Sequence, residues 1–186
     1  MSRFVFSPTP LSGLTLVERK PIADARGFLA RLFCTEEFGT AGWRKPIAQI
    51  NHTLTRKRGA VRGLHFQHPP HAESKLVSCL SGEVFDVAVD LRRDSPTFLR
   101  WHGALLSAEN HRSLLIPEGF AHGFQALTED CELFYLHTTS FHAEAEGALN
   151  VTDPRLAIAW PLAIAELSER DRAHPLIGAD FPGFHA

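Results

Sequence analysis

Seventeen residues, VRGLHFQHPPHAESKLV from Val61 to Val77, hold Arg62, Lys75 and three histidines, His65, His68 and His71. Such a set offers two kinds of chemistry. Histidine is the commonest metal ligand, and it is also the side chain whose ordinary pKa best suits proton abstraction near neutral pH. Spacing separates the two. Imidazoles two residues apart on a strand turn to one side and can share an ion. These histidines are three apart, so they face opposite sides, and Pro69 and Pro70 end a strand just after His68. The spacing therefore predicts no metal. It leaves His65 as an acid–base candidate, with Arg62 and Lys75 as cations able to stabilise an enolate or hold a phosphate. The alternative is an ordinary hydrogen-bonded histidine of a barrel.

Three further residues carry comparable potential. Tyr135, the one tyrosine of the chain, shares a strand face with Leu133, His137 and Phe141 in CELFYLHTTSF. Its phenol, of ordinary pKa about 10, can donate a proton to a carbanion, or the ring can serve as a core aromatic. Asp171, in LSERDRAHP, can orient an imidazole and stabilise its cation, or it can close a Ser-x-x-Asp capping box begun at Ser168. His122 follows the Pro117-x-Gly119 turn of IPEGFAHGF. This arrangement resembles the second motif of the cupin jelly rolls, in which the histidine points into the barrel mouth. GLHFQHPPHAE, ahead of Gly82-Glu83, resembles the first.

The elements that must position these groups are mostly strands. Period-two segments dominate residues 47 to 141, bounded by Gly, Pro and Asn. KLVSCL and EVFDVAVDL read as a hairpin around Ser81-Gly82. In the second segment Phe85, Val87, Val89 and Leu91 share one face, and Asp86 and Asp90 the other. About ten short strands of this kind predict an all-β sandwich or barrel. Helix is confined to a turn or two in TEEFGTAGW and a short tail, LAIAELSERDRA, stopped by Pro175.

The chain of 186 residues suits one domain over 1–186, with no internal repeat or linker. A net charge of −2 gives no basic field for nucleic acid or membrane surfaces, so any bound anion needs a local cluster of Arg and Lys. No apolar run is long enough for a membrane span, and the amino terminus does not read as a secretory signal. Cys34, Cys79 and Cys131 lack metal-site spacing and read as free thiols of a cytoplasmic protein.

Taken together, the blocks DARGF, QINHT, VRGLHFQ, SKLVSCLSGEVFDVAVDLRRDSPTF, LSAEN, IPEGFAHGF, LFYLHTT, TDPRLAIAWP and LSERD resemble one family, the dTDP-4-dehydrorhamnose 3,5-epimerases. The match runs over nearly the whole chain. The resemblance implies a cupin-type jelly roll, a homodimer, no metal and no cofactor. It also implies epimerisation beside the C4 ketone of a dTDP-4-keto-6-deoxyhexose. Carried over by position, the base is His65, its paired aspartate Asp171 and the general acid Tyr135. Lys75 stands near the ketone oxygen, and His122 lines the same pocket. Gln49, Asn51, Arg62 and Arg170 fall at nucleotide and diphosphate contacts, and Arg26 and Phe28 would reach a neighbouring subunit's site. Four positions depart from the family pattern. Arg31 replaces an acidic residue, Phe141 a second tyrosine near the nucleotide, and Asn150 and Val151 an arginine and a tryptophan. These departures leave open a 3-epimerase, a 3,4-ketoisomerase or a non-catalytic cupin that binds a sugar nucleotide.

Overall fold

Apolar–polar alternation broken by Gly, Pro and Asn produces thirteen strands and little helix in the computed structural model, which describes residues 2–185. Met1 and Ala186, the ends of the expected domain, lie outside the described residues. The strands are β1 (Phe4–Pro8), β2 (Thr15–Arg19), β3 (Ile22–Asp24), β4 (Gly27–Leu29), β5 (Gln49–Thr55), β6 (Val61–Gln67) and β7 (Lys75–Ser81). They continue with β8 (Glu83–Asp90), β9 (Trp101–Ser107), β10 (Arg112–Ile116), β11 (Phe120–Ala126), β12 (Cys131–His137) and β13 (Glu146–Ala148). Two short helices, α1 (Thr35–Thr40) and α2 (Glu169–Arg172), are peripheral.

Two antiparallel sheets face each other as a cupin-type jelly roll. One runs β1-β2-β10-β7-β12-β5, the other β13-β6-β11-β8-β9, and β3 and β4 form a separate hairpin. Val77, Leu114 and Leu133 of the first sheet meet Val84, Ala88 and Phe124 of the second in the central core. Both outer faces are also covered. Phe38 of α1 and Trp43 pack with Leu76 and Leu136 outside the first sheet. Residues of the carboxyl-terminal segment, including Leu149, Val151 and Phe184, pack with Leu64, Phe66, Val87 and Val89 outside the second.

Two local expectations change. Ser81-Gly82 is not a hairpin, because β7 pairs with β10 and β12 while β8 pairs with β9 and β11. The chain instead steps from one sheet to the other. Gly82 sits at φ +73°, and a Cβ there would lie 2.4 Å from Thr128 Oγ1, so the corner needs glycine. The alternation in β8 holds, and both of its faces are covered: Asp86 and Asp90 are fully buried. The helical tail also shrinks to four residues. Residues ahead of it are drawn out by pairing, with Ala165 N donating to Gly59 O at 3.0 Å and Glu166 O accepting from Val61 N at 2.9 Å. Backbone pairing along the start of β6 outweighs helix propensity there.

Candidate active site

At the open end of the sandwich lies a cavity of about 820 Å³, lined from β5, β6, β7, β11, β12 and the α2 region. Leu64 and Phe66 pack outward beneath the carboxyl-terminal segment, so His65 between them turns into the cavity. Its partner in register across β6 and β11 is His122. The two strands approach closely here. A Cβ on Gly63, whose φ is +130°, would lie 2.5 Å from the Cα of Gly123.

Each of these histidines is held by a carboxylate. His65 Nε2 lies 2.8 Å from Asp171 Oδ1, and His122 Nε2 lies 2.8 Å from Asp86 Oδ1. Donation from Nε2 to Asp171 leaves Nδ1 of His65 as the basic ring position. Asp171 is placed both at the cap and beside His65. Its backbone N–H donates to Ser168 Oγ at 3.0 Å, which caps α2, and its side chain reaches His65. Burial alone would push the Asp171 carboxyl up, but the hydrogen bond and charge of His65, with help from Gly63 N–H and Ser168, hold it below the ordinary range.

Tyr135 enters from β12. Its ring stands edge-on to His122 at 5.9 Å between centroids and nearly parallel to His137 at 6.0 Å. Burial raises its pKa well above the ordinary phenol value, so at neutral pH the phenol keeps its proton. The Lys75 ammonium, itself buried, lies 3.4 Å from the His65 carbonyl oxygen and 3.1 Å from Glu73 Oε1. Arg62 is steadied by Thr55 Oγ1 at 3.0 Å. Arg170 grips Glu146 through both terminal nitrogens at 3.1 Å, and one of them lies 3.4 Å from His65 Nε2.

The structure thus gathers His65, Tyr135, Asp171, Lys75, Asn51, Arg62, His122 and Arg170 around one cavity. Gln49 and Phe141 border a smaller adjoining cavity of about 170 Å³, joined by Gln49 Oε1 accepting from Phe141 N at 2.9 Å. Arg26 and Phe28 line neither. They sit on the β3–β4 hairpin, where Phe28 is 64% exposed and Arg26 pairs with Asp24. Of the atypical positions, Arg31 pairs with Glu37, Asn150 Nδ2 donates to His174 O, and Val151 is buried. None of these three borders the cavities.

Sequence reasoning missed several neighbours. Asp86 lies on the face of β8 where alternation puts it, but nothing local says which histidine it meets. Glu73 and His137 join only because β12 pairs with β7, which sets His137 beside Lys75. His174 comes from beyond α2; its donor atom and those of His65 and Asp171 all lie within 4.8 Å of one another. Spacing along β6 could not show that grouping, which makes chelation a direct test of the metal-free expectation.

The fold and the cavity define a cupin-type jelly roll with paired histidine–carboxylate dyads and a buried phenol at its mouth. Residues 8–178 match the profile of the dTDP-4-dehydrorhamnose 3,5-epimerases. The enzyme of that name from Salmonella typhimurium is 44% identical over 171 residues, covering 91% of this chain and 93% of its own. The crystal structure of a Legionella pneumophila dTDP-6-deoxy-D-glucose-3,5-epimerase in complex with dTDP-4-keto-L-rhamnose superposes with a TM-score of 0.91 at 40% identity, covering 98% of this chain and all of that one. A 3'-monoepimerase from Streptomyces bikiniensis in complex with dTDP-quinovose gives 0.83 at 36%, covering 91% and 86%. The chain belongs to the dTDP-4-dehydrorhamnose 3,5-epimerase family.

Proposed function

We propose that the protein epimerises C3 and C5 beside the C4 ketone of a dTDP-4-keto-6-deoxyhexose, without a cofactor, in deoxysugar synthesis of the dTDP-L-rhamnose type. The observation that carries this reading is the presence, in one cavity, of the His65–Asp171 dyad, the Lys75 ammonium and the Tyr135 phenol. His65 Nδ1 takes the proton from the carbon next to the ketone, and the bonding pair moves into an enolate. Asp171 stabilises the imidazolium, and Lys75 offsets charge on the enolate oxygen, with His122 on the same wall. Tyr135 then gives its proton to the opposite face, which inverts the centre, and solvent restores both groups. Its raised pKa suits a donor that keeps its proton until a carbanion takes it.

Arg62 and Arg170, with Gln49 and Asn51, suit a nucleoside diphosphate, and Arg56 and Lys57 border the same mouth. This local cluster offsets a net charge of −2. Phe141 borders the smaller cavity beside Gln49 and offers a ring without a hydroxyl.

The reading extends to a homodimer acting as a single-domain protomer in the cytoplasm. No helix among the described residues is long and apolar enough to cross a membrane. Ile22, Phe28 and Leu29 on the hairpin, and Ile50 and Leu54 on β5 at the edge of its sheet, are exposed apolar side chains that a second copy would cover. In that assembly Arg26 and Phe28 reach the neighbouring site.

Incubation with dTDP-4-keto-6-deoxyglucose in deuterated water tests the function. Label at both C3 and C5 of an inverted product is expected. Label at C3 alone would identify a 3-epimerase, and binding without label a sugar-nucleotide-binding protein.

A further inference from the structure

Lys75 is asked to present a full positive charge from a buried position, and an ammonium there needs a counter-charge and a fixed direction. The groups that supply both lie outside the chemistry described above. Glu73, buried with it, places Oε1 3.1 Å from Lys75 Nζ and Oε2 2.9 Å from His137 Nδ1. His137 Nε2 in turn lies 3.4 Å from Asn51 Nδ2, and Asn51 Oδ1 accepts from Gln49 Nε2 at 3.0 Å. An amide N–H can only donate, so Nε2 accepts and Nδ1 carries the proton given to Glu73. Donation therefore runs one way, from β5 through His137 to Glu73, and Lys75 donates to the same carboxylate from the other side.

We propose that Glu73 and His137 are positioning residues that hold the Lys75 ammonium at the substrate ketone, Glu73 as its counter-charge and His137 as the brace that fixes the carboxylate. The inference rests on the function proposed above. Each oxygen of Glu73 has its own partner, so the carboxylate cannot rotate without losing one. One ammonium proton goes to Glu73 and one to the His65 carbonyl oxygen at 3.4 Å, which leaves the third for the cavity. Burial alone would push the Glu73 carboxyl up, yet the His137 hydrogen bond and the Lys75 charge outweigh it and keep it ionised.

The couple also ties the nucleotide end to the reacting end. Gln49 and Asn51 feed the network that ends on Lys75, so a ligand that orders them steadies the ammonium. The titratable groups facing the couple are Lys75 from β7, Tyr135 from β12, His65 from β6 and Glu146 from β13, with His122 beyond Tyr135.

Glu73→Gln keeps the shape but removes the charge, and its single amide oxygen can accept from only one of the two donors, Lys75 or His137. A buried ammonium without its counter-charge is disfavoured, so the alkaline limb of the kcat profile should move to lower pH by roughly one unit, with kcat at neutral pH down at least about tenfold. KM should stay within about threefold, since the nucleotide contacts are untouched. His137→Phe should lower kcat with the alkaline limb in place, because the carboxylate remains but is free to swing. An unmoved limb in Glu73→Gln, or a variant whose only defect is a lower melting temperature, overturns the proposal. If Glu73→Gln does not fold, Glu73→Asp serves instead. It keeps the charge and loses the reach, so a wild-type kcat from Glu73→Asp would equally overturn it. Wild-type protein that incorporates no deuterium would defeat the proposed function itself, whereas a working wild type beside an unmoved limb defeats only this inference.

Discussion

Replacing Asp171 by asparagine separates its two structural jobs. The cap of α2 uses the Asp171 backbone N–H on Ser168 Oγ, so it survives the change. What is lost is the charge 2.8 Å from His65 Nε2. A hydrogen bond to a charged group contributes about 1.5–3 kcal/mol, which at about 1.36 kcal/mol per tenfold lowers kcat roughly 10- to 150-fold. If asparagine turns its amide nitrogen toward Nε2, the ring proton is drawn to Nδ1, where the substrate proton must go, and the loss extends toward about 10⁴-fold. The assay is single-turnover deuterium incorporation with thermal melting in parallel. Stability follows a separate rule. A carboxyl held below its unfolded value contributes stability above that unfolded pKa of about 3.9, and the contribution fades as pH falls through the lower folded value. Wild type should therefore exceed the variant in melting temperature at neutral pH, and the gap should close in acid. A kcat within about twofold of wild type would reduce Asp171 to a cap with no part in the proton transfer.

Two further outcomes follow from the same geometry. His65→Asn keeps a polar side chain but no imidazole, so deuterium incorporation should disappear while dTDP affinity, measured by calorimetry, stays within a few-fold because Arg62, Gln49 and Asn51 are intact. Protein stripped with EDTA should keep full activity; loss restored by a divalent ion would turn the close group of His65, Asp171 and His174 into a metal centre and displace His65 as a base.

How much of this was legible depended on whether a feature is local. Alternation in β8 located its two faces correctly, because side-chain direction is a property of the strand itself. It could not say that Asp86 faces another sheet rather than water, since that depends on what packs above. Ser81-Gly82 shows the same limit. A tight turn with glycine at positive φ suits a hairpin and a corner between sheets alike, and the choice is made by partners β10, β12, β9 and β11, distant in sequence. In the cavity, His65, Tyr135 and Lys75 announced themselves by residue type and by resemblance, and Asp171 was ambiguous because one residue performs both roles. His137 was placed on the face of Tyr135, but its pairing with Glu73 carried no signal, since it exists only through the register of β7 and β12. Arg26 and Phe28 rested wholly on resemblance, and they lie apart from this chain's own cavity.

In the proposed reaction, removal and return of the proton occur on opposite faces through different groups, and Tyr135→Phe separates the two steps. Phenylalanine keeps the ring that packs against His122 and His137 and removes only the hydroxyl. Recovered sugar is examined by mass spectrometry for deuterium and by NMR for configuration at C3 and C5. Substrate is expected to exchange its proton through His65 yet keep its original configuration. A normal yield of inverted product from the variant would remove Tyr135 from the mechanism.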